Sequence, residues 1–411
     1  MIEVREEENQ KVKAILVGEP NVSLSELKGL CSTLEIEVLR SINLLRMEPT
    51  PSYGIGSGKA EEICALAKEL GADAIIFDYI LEPRKQRNWE KLSHLAVFDR
   101  QEVILRIFAS RAKTKEAVLQ VQLAKLEYSL PRLAHMYGDL ARQRGGNYGS
   151  KGRGETQLEL DQRQVRQKIA LLKNELNQVV KDRLTQKKRR SKIPFPSCAI
   201  IGYTNAGKST LLNAMTGSET LVEDKLFATL DPTTRQLKLK EGSTILLTDT
   251  VGFISNLPHS LVNAFKSTLE EAKTAELQLI VLDSSDENVF DQYKTVLKVL
   301  EEIDAQNSKR LIVLNKSDLL SKGNAHSIKV EQEFSGAIKI SAKNKTGFDE
   351  LKEKIMESIL GEIKEFVIPK ENSSVLSEIR KKGVLVEELW LEDGIHIKAR
   401  LPIDYKIQNL C

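Results

Sequence analysis

A phosphate-binding pattern lies in the middle of the chain, where the apolar stretch "SCAIIG" runs into Gly202-x-x-x-x-Gly207-Lys208-Ser209. The two glycines let backbone N–H groups curl around phosphate oxygens, and a helix that begins here adds positive potential. The Lys208 ammonium can reach the β- and γ-phosphates, and the Ser209 hydroxyl can ligate Mg²⁺. This spacing predicts a nucleoside triphosphate site.

Three further motifs follow in chain order, each at the end of an apolar strand. "TILLTDT" ends at Asp249, which can hold Mg²⁺ through water, and Gly252 can offer its N–H to the γ-phosphate. "RLIVLNKSD" ends at Asp318, whose carboxylate can accept two hydrogen bonds from guanine, while Asn315 braces the loop and the base edge. "GAIKISAK" supplies the Ala342 N–H for the guanine O6. Adenine would leave the carboxylate unpaired, so the four motifs predict GTP and GDP as ligands.

The segment "KLFATLDPTTRQ" lies between the first and second motifs. A segment in this place is expected to close over the γ-phosphate and to give a threonine to Mg²⁺. Three threonines are candidates, and the pattern alone does not choose among them: Thr229, Thr233 and Thr234.

A phenyl ring follows Gly252, at the place where a polar side chain would orient the attacking water. Because Phe253 has no polar atom, we expect slow intrinsic hydrolysis and a partner that completes the site. The alternative is that Phe253 is a packing residue and another polar group positions the water. Asn205 adds a hypothesis: an asparagine here can help to hold a K⁺ ion that replaces an arginine finger.

The 411-residue chain is long enough for several domains, with 41% hydrophobic and 29% charged residues. Its net charge of +3, from 61 basic and 58 acidic residues, is too balanced to indicate a nucleic-acid partner. No Cys-x-x-Cys pair occurs, which argues against a zinc or disulfide framework and favours a reducing cytoplasm. No apolar run approaches the roughly 20 residues of a membrane span.

Apolar runs that alternate with amphipathic segments predict an α/β domain over residues 1–110. Within it, "YGIGSGKAEEI" reads as an ordinary helix N-terminus, because Ala60 replaces the magnesium-ligating hydroxyl. A second, weaker nucleotide site, serving an ATP-driven RNA remodeller through Gly56 to Lys59, is the alternative. Near the other end, "VIPKENSS" is interpreted as a linker, and apolar alternation around Asp393-Gly394 predicts a hairpin in a small α+β tail over 361–411.

Two leucine-rich seams over 111–192 predict an antiparallel helical hairpin, kinked near Pro131. The tip, "RGGNYGSKGRGE", has five glycines and is predicted to be non-helical. Basic residues at the tip and at "KDRLTQKKRRSK" favour binding to the phosphates of RNA. The alternative is that the tip is a solvated linker and the basic run is a charged helix end. The candidate RNA-contacting residues are Arg142, Arg144, Tyr148, Lys151 and Arg153.

The whole chain resembles the HflX family of translation-associated GTPases, on "GIGSGKAEEI", "TKEAVLQVQLAKLEY", "LPRL" and "GRGETQLELDQR" together with the four nucleotide motifs. Arg153 departs from the proline often found there. The resemblance implies that "FATLD" is the switch segment, with Thr229 as the magnesium ligand beside Ser209. It also implies that the hairpin tip reaches ribosomal RNA of the large ribosomal subunit, and that the task is to split stalled ribosomes, especially under stress.

The predicted fold is α/β: a P-loop GTPase domain over 193–360 with a mostly parallel, doubly wound sheet, preceded by the α/β domain and the hairpin. The predicted activity is GTP hydrolysis with Mg²⁺ and, as a hypothesis, K⁺, in a monomer of the cytoplasm, with peripheral membrane association left open. The alternatives are a GTP-gated binding module that needs no hydrolysis and the RNA remodeller.

The predicted catalytic residues are Lys208, Thr229 and Gly252, and the predicted metal ligands are Ser209 and Thr229. The predicted nucleotide-binding residues are Gly202, Tyr203, Thr204, Asn205, Ala206, Gly207, Lys208, Ser209, Thr210, Phe227, Ala228, Thr229, Leu230, Asp231, Asp249, Thr250, Val251, Gly252, Asn315, Lys316, Ser317, Asp318, Ser341, Ala342 and Lys343.

Overall fold

The structure is a computed structural model that describes residues 11–48, 50, 52–136, 151–190, 195–218, 225–240, 243–255, 266–320, 323–369, 373–391 and 393–401. Two compact units are present. The first contains the described residues up to 189 together with 225–230, and the second contains the other described residues.

A four-stranded parallel sheet forms the centre of the first unit, with strand order β2-β1-β3-β4. The strands are β1 (Lys13–Gly18), β2 (Glu37–Asn43), β3 (Ala74–Phe77) and β4 (Ala96–Asp99). The helices are α1 (Ser25–Thr33), α2 (Ser57–Glu69), α3 (Pro83–Ser93) and α4 (Arg100–Arg111). The apolar runs that were predicted to alternate with amphipathic segments are thus strands separated by helices, as expected for an α/β domain.

Two long helices follow the sheet, α5 (Lys115–Met136) and α6 (Lys151–Arg190). Leucines from both predicted seams pack together, with Leu119 and Leu123 against Leu172. The sequence prediction is wrong at one place, because α6 begins at Lys151 and includes Gly152 and Gly154. Each glycine costs about 1 kcal/mol relative to alanine, but extending a formed helix gains a hydrogen bond per residue.

A six-stranded sheet forms the centre of the second unit, with strand order β10-β9-β8-β5-β7-β6. Only the edge strand β6 (Thr233–Lys238) runs antiparallel to its neighbour, so the predicted mostly parallel sheet is confirmed. The other strands are β5 (Ser197–Gly202), β7 (Thr244–Asp249), β8 (Leu277–Asp283), β9 (Lys309–Asn315) and β10 (Ile338–Lys339). The helices are α7 (Lys208–Thr216), α8 (Lys266–Thr274), α9 (Val289–Glu302), α10 (Ala325–Glu333) and α11 (Phe348–Leu360).

The tail of the second unit is a three-stranded antiparallel sheet with one helix, α12 (Ser373–Lys382). The predicted hairpin is present as β12 (Val384–Leu391) and β13 (Gly394–Arg400), which pair across Asp393. The linker prediction is wrong at both ends, because β11 (Ile363–Ile368) includes the first two residues of "VIPKENSS" and α12 includes the last two. Pairing with β13 and burial of Ile368 turned this short apolar end into a strand.

Three cysteines of the described chain lie in these cores: Cys31 in α1, Cys64 in α2 and Cys198 in β5, all buried. Burial raises the pKa of each thiol above its ordinary value, because a buried thiolate would lose its hydration. Within the described part of the chain, no helix combines the length and apolarity that a bilayer crossing requires.

Candidate active site

The phosphate-binding pattern connects β5 to α7, and its two glycines are fixed by close neighbours. Gly207 has φ of 87°, and a Cβ there would collide with the Asn315 side chain. A Cβ on Gly202 would collide with the Val281 carbonyl of the neighbouring strand β8. The Val281 backbone at Gly202, and the left-handed φ with the Asn315 side chain at Gly207, therefore favour glycine at both positions, in addition to any demand made by a phosphate.

Lys208 begins α7 and is buried, with its Nζ donating to the Tyr203 carbonyl at 2.7 Å. Burial lowers the pKa of Lys208 to about 8, and the charge of Asp249 opposes that shift. The neighbouring Ser209 Oγ donates to Asp249 Oδ2 at 2.6 Å, and Asp249 is 1% exposed. A hydroxyl and a carboxylate are oxygen donors of the type that Mg²⁺ prefers, so this pair fits the predicted metal.

The segment after β7 is paired to the phosphate loop through its backbone. The Phe253 N–H donates to the Gly202 carbonyl at 3.1 Å, and the Thr204 N–H donates to the Phe253 carbonyl at 2.7 Å. The Tyr203 hydroxyl adds a third bond by accepting from the Ser255 N–H at 2.6 Å. The Phe253 ring is 2% exposed, so it is packed inside the unit rather than turned toward solvent.

Thr250 and Val251, both predicted to contact nucleotide, have inward side chains in this structure. The Thr250 hydroxyl is fully buried and donates to the Ile200 carbonyl at 2.7 Å, while Val251 is 5% exposed. Gly252 lies against the phosphate loop, because a Cβ on it would be 2.9 Å from Lys208 Nζ. Of this segment, Gly252 is the residue that the structure brings to the predicted γ-phosphate position.

Asn315 joins the predicted base-binding loops to the phosphate loop. Its Nδ2 donates to the Ala206 carbonyl at 2.8 Å, and its Oδ1 accepts from the Ala342 N–H at 2.9 Å. The Ala342 N–H predicted for guanine O6 is thus used inside the protein here, and the base contact stays a prediction. Asp318 is exposed, as a side chain that reads a ligand edge must be.

One charged group at this edge was not predicted from the sequence, Asp283. Asp283 is the last residue of β8, and its Oδ2 forms an ion pair with Lys316 Nζ at 2.7 Å. Lys316 has φ of 59°, and the pair fixes the aliphatic part of this lysine beside the loop that carries Asp318. The sequence contained a signal for Asp283, because it is an acidic residue at the end of a buried strand, which is the pattern from which Asp249 was predicted.

The predicted switch segment divides between the two units: residues 225–230 belong to the first and Asp231 to the second. The Phe227 ring is 3% exposed and meets the Phe108 ring edge to face, with centroids 4.6 Å apart. Leu230 is 2% exposed. The predicted nucleotide contacts of this segment, including Thr229 as a magnesium ligand, remain predictions.

Other predicted sites are placed as follows. Gly56 caps α2, and Lys59 Nζ pairs with Glu62 Oε1 at 2.6 Å, as expected for the helix N-terminus interpretation of "YGIGSGKAEEI". Lys151 and Arg153 lie on the first turn of α6. Arg142, Arg144 and Tyr148 lie outside the described residues.

With Asn315 joining the base side to the phosphate loop, and Ser209 bonded to Asp249, the second unit has the arrangement of a P-loop GTPase domain. Three family models match the chain: GTP-binding GTPase N-terminal over 21–109, GTP-binding GTPase Middle Region over 111–190, and 50S ribosome-binding GTPase over 197–316. The chain belongs to the HflX family of GTPases, and it is a GTP hydrolase.

Individual relatives match along nearly the whole chain. GTPase HflX of Akkermansia muciniphila is 40% identical over 426 residues, which cover 98% of both chains. GTPase HflX of Escherichia coli K12 is 39% identical over 383 residues, covering 92% of this chain and 90% of its own. A GTP-binding protein from Sulfolobus solfataricus, solved with GDP, is 25% identical with a TM-score of 0.45, covering 84% of this chain and 98% of that chain.

Proposed function

We propose that this chain is a GTP-driven switch that binds the large ribosomal subunit in the cytoplasm and separates the subunits of stalled ribosomes. In this proposal intrinsic hydrolysis is slow, and the ribosome stimulates it. One observation carries the slow step: Phe253, at the water-orienting position, is buried and paired to the phosphate loop. A partner that reorders this segment can therefore change the rate greatly, because phosphoryl transfer depends on positioning and electrostatics.

The residues have distinct tasks in the proposed reaction. Lys208 neutralises charge on the β- and γ-phosphates, and the Gly252 N–H donates to the γ-phosphate. Ser209, Asp249 and Thr229 would hold Mg²⁺, which when bound neutralises the charge that develops between the phosphates. Asp318 accepts two hydrogen bonds from guanine, and Asn315 keeps the base side and the phosphate side in register.

Ribosome binding is supported by the family description of residues 197–316 as a 50S ribosome-binding GTPase and by the basic hairpin. The run "KDRLTQKKRRSK" has seven basic residues and one acidic residue, and most of it lies at the end of α6. We assign the contact with ribosomal RNA to the tip residues Arg142, Arg144, Tyr148, Lys151 and Arg153. Membrane association is not part of the proposal.

Sedimentation with separated ribosomal subunits tests the partner. We expect the protein to pellet with the large subunit in GTP or its non-hydrolysable analogue, and less in GDP. An Arg142→Gln, Arg144→Gln double variant should bind more weakly and with a smaller salt dependence. Arg163→Gln with Arg166→Gln is the matched control, since both arginines are exposed on α6. Failure to bind the large subunit in every nucleotide state would contradict the proposed partner.

Repeated rounds of subunit splitting test whether hydrolysis matters. With GTP, one protein molecule should split many ribosomes, whereas the non-hydrolysable analogue should allow about one round for each molecule. Equal turnover with both nucleotides would favour a binding module in which hydrolysis is dispensable.

We propose K⁺ as a second cation, because Asn205 lies in the phosphate loop, where an asparagine can help to hold it. This residue is exposed and left-handed, with φ of 61°, so its amide is accessible to a ligand. Hydrolysis should be faster in potassium than in sodium at equal ionic strength, and the difference should shrink in Asn205→Ser. Equal rates of the native chain in the two salts would remove K⁺ from the proposal.

A further inference from the structure

Thr204 is a phosphate-loop residue with a buried hydroxyl that the site does not yet use. The residue is 7% exposed, and its Oγ1 has no hydrogen-bond partner among the residues that the structure describes. Its backbone N–H is engaged, because it donates to the Phe253 carbonyl at 2.7 Å. A buried hydroxyl without a hydrogen-bond partner is unfavourable, so its presence suggests a ligand that satisfies it.

The neighbours of Thr204 show where such a ligand would be. A Cβ on Gly252 would lie 2.9 Å from both Thr204 Cα and Thr204 Cγ2, and 2.9 Å from Lys208 Nζ. Thr204, Gly252 and the Lys208 ammonium are therefore immediate neighbours. The proposed function puts the terminal phosphate and its attacking water beside this group, because Lys208 and the Gly252 N–H are the groups that bind the γ-phosphate.

The geometry of threonine allows its hydroxyl to face the γ-phosphate side. Its Cβ carries a methyl, a hydroxyl and a hydrogen, and a rotation of about 120° around χ1 moves the hydroxyl to the staggered position that the methyl now has, while the methyl moves to that of the hydrogen. Such a rotation would put Oγ1 where Cγ2 now meets Gly252. A threonine hydroxyl offers one donor and two acceptor lone pairs, so it can accept from a water and donate to a phosphate oxygen at the same time.

We infer that the Thr204 hydroxyl orients the attacking water in GTP hydrolysis, the task for which Phe253 has no polar atom. This inference rests on the proposed GTP reaction. The water oxygen forms the new bond to the γ-phosphorus, and the bond from that phosphorus to the bridging oxygen breaks, with its electron pair leaving on GDP. The proton of the water ends on the released phosphate, and Thr204 keeps its own proton.

Two substitutions separate the hydroxyl from the shape of the side chain. Thr204→Val keeps the shape and removes the hydroxyl, whereas Thr204→Ser keeps the hydroxyl and removes the methyl. In single-turnover hydrolysis with saturating GTP, alone and with ribosomes, we expect Thr204→Val to be about 100-fold slower, as for loss of one positioned donor. Thr204→Ser should stay within about threefold of the native rate, and both should bind the non-hydrolysable analogue with nearly native affinity.

A second pair keeps the test decisive if valine disturbs folding. Thr204→Ala and Thr204→Ser differ only in the hydroxyl, so alanine should be slow where serine is fast. Thr204→Val or Thr204→Ala that hydrolyses GTP at the native rate would overturn the inference and leave the proposed function intact. Serine that fails as badly as valine would also overturn it, because packing would then be the cause. Absence of GTP hydrolysis by the native chain would instead remove both proposals.

Discussion

Replacing Asn315 by alanine removes the side chain that joins three loops of the nucleotide site. Asn315 is 2% exposed, donates to the Ala206 carbonyl at 2.8 Å and accepts from the Ala342 N–H at 2.9 Å. Both partners would be left without a hydrogen bond in a buried place, at about 1–3 kcal/mol each. We therefore expect Asn315→Ala to lower the free energy of unfolding of the second unit by about 3 kcal/mol.

The assay is thermal unfolding of the protein without nucleotide, where the bond from Asn315 to the phosphate loop is already present. For a unit of this size, 1 kcal/mol corresponds to about 2–4 °C, so the transition of the second unit should fall by about 6–12 °C. Asn344→Ala is the matched control, because Asn344 is an exposed asparagine of the neighbouring loop. It should melt like the native protein.

One result would refute this reasoning. If nucleotide-free Asn315→Ala and Asn344→Ala both melt within about 2 °C of the native chain, Asn315 does not hold the loops together before the ligand binds. A loss of GDP affinity alone would then mean that the ligand organises the site, contrary to the preformed bonds seen here.

Three further outcomes are expected. Because burial holds the pKa of Lys208 at about 8, the unliganded protein loses this proton as the pH rises through that value. Phosphate restores the charge, so binding of GTP at pH 8 should take up about half a proton in calorimetry with buffers of different ionisation enthalpy, and no uptake would contradict this. Gly252→Ala should slow GTP hydrolysis at least about tenfold and weaken GDP binding less, since the new methyl would lie 2.9 Å from Thr204 Cα and push the residue-252 N–H away from the γ-phosphate, which GDP lacks; an unchanged rate would contradict this. Arg132→Met should cost the first unit about 3–5 kcal/mol in urea unfolding, because it leaves the fully buried Asp99 without the cation that now lies 3.0 Å away, with Arg132→Lys as the milder control.

Much of the fold could be predicted because its strands are continuous apolar runs and its nucleotide motifs stand directly at strand ends. Prediction failed where tertiary contacts decided the outcome. Gly152 and Gly154 of the hairpin tip lie in α6, and "VIPKENSS" is divided between β11 and α12. Local preference indicated breaks at both places, whereas helix extension and pairing with β13 gave regular structure.

The residues of the site were found by spacing, but their mutual contacts were not. No local pattern shows that the Tyr203 hydroxyl meets the Ser255 N–H, 52 positions along the chain, or that Thr204 has a buried hydroxyl with no partner in the described chain. The sequence also left open whether Phe253 is a packing residue, and the structure shows a ring that is 2% exposed. Such facts depend on which side chains the fold brings together.

The buried cysteines can report how fast each unit of the protein opens. Cys31 and Cys64 are in the first unit and Cys198 is in the central strand of the second, and each must be uncovered before a thiol reagent can modify it. Reagent uptake at each sulfur, read by mass spectrometry, thus times the opening of its own unit. Guanine nucleotide should delay modification of Cys198 far more than that of Cys31 and Cys64. A single labelling experiment therefore shows which unit the ligand stabilises against opening.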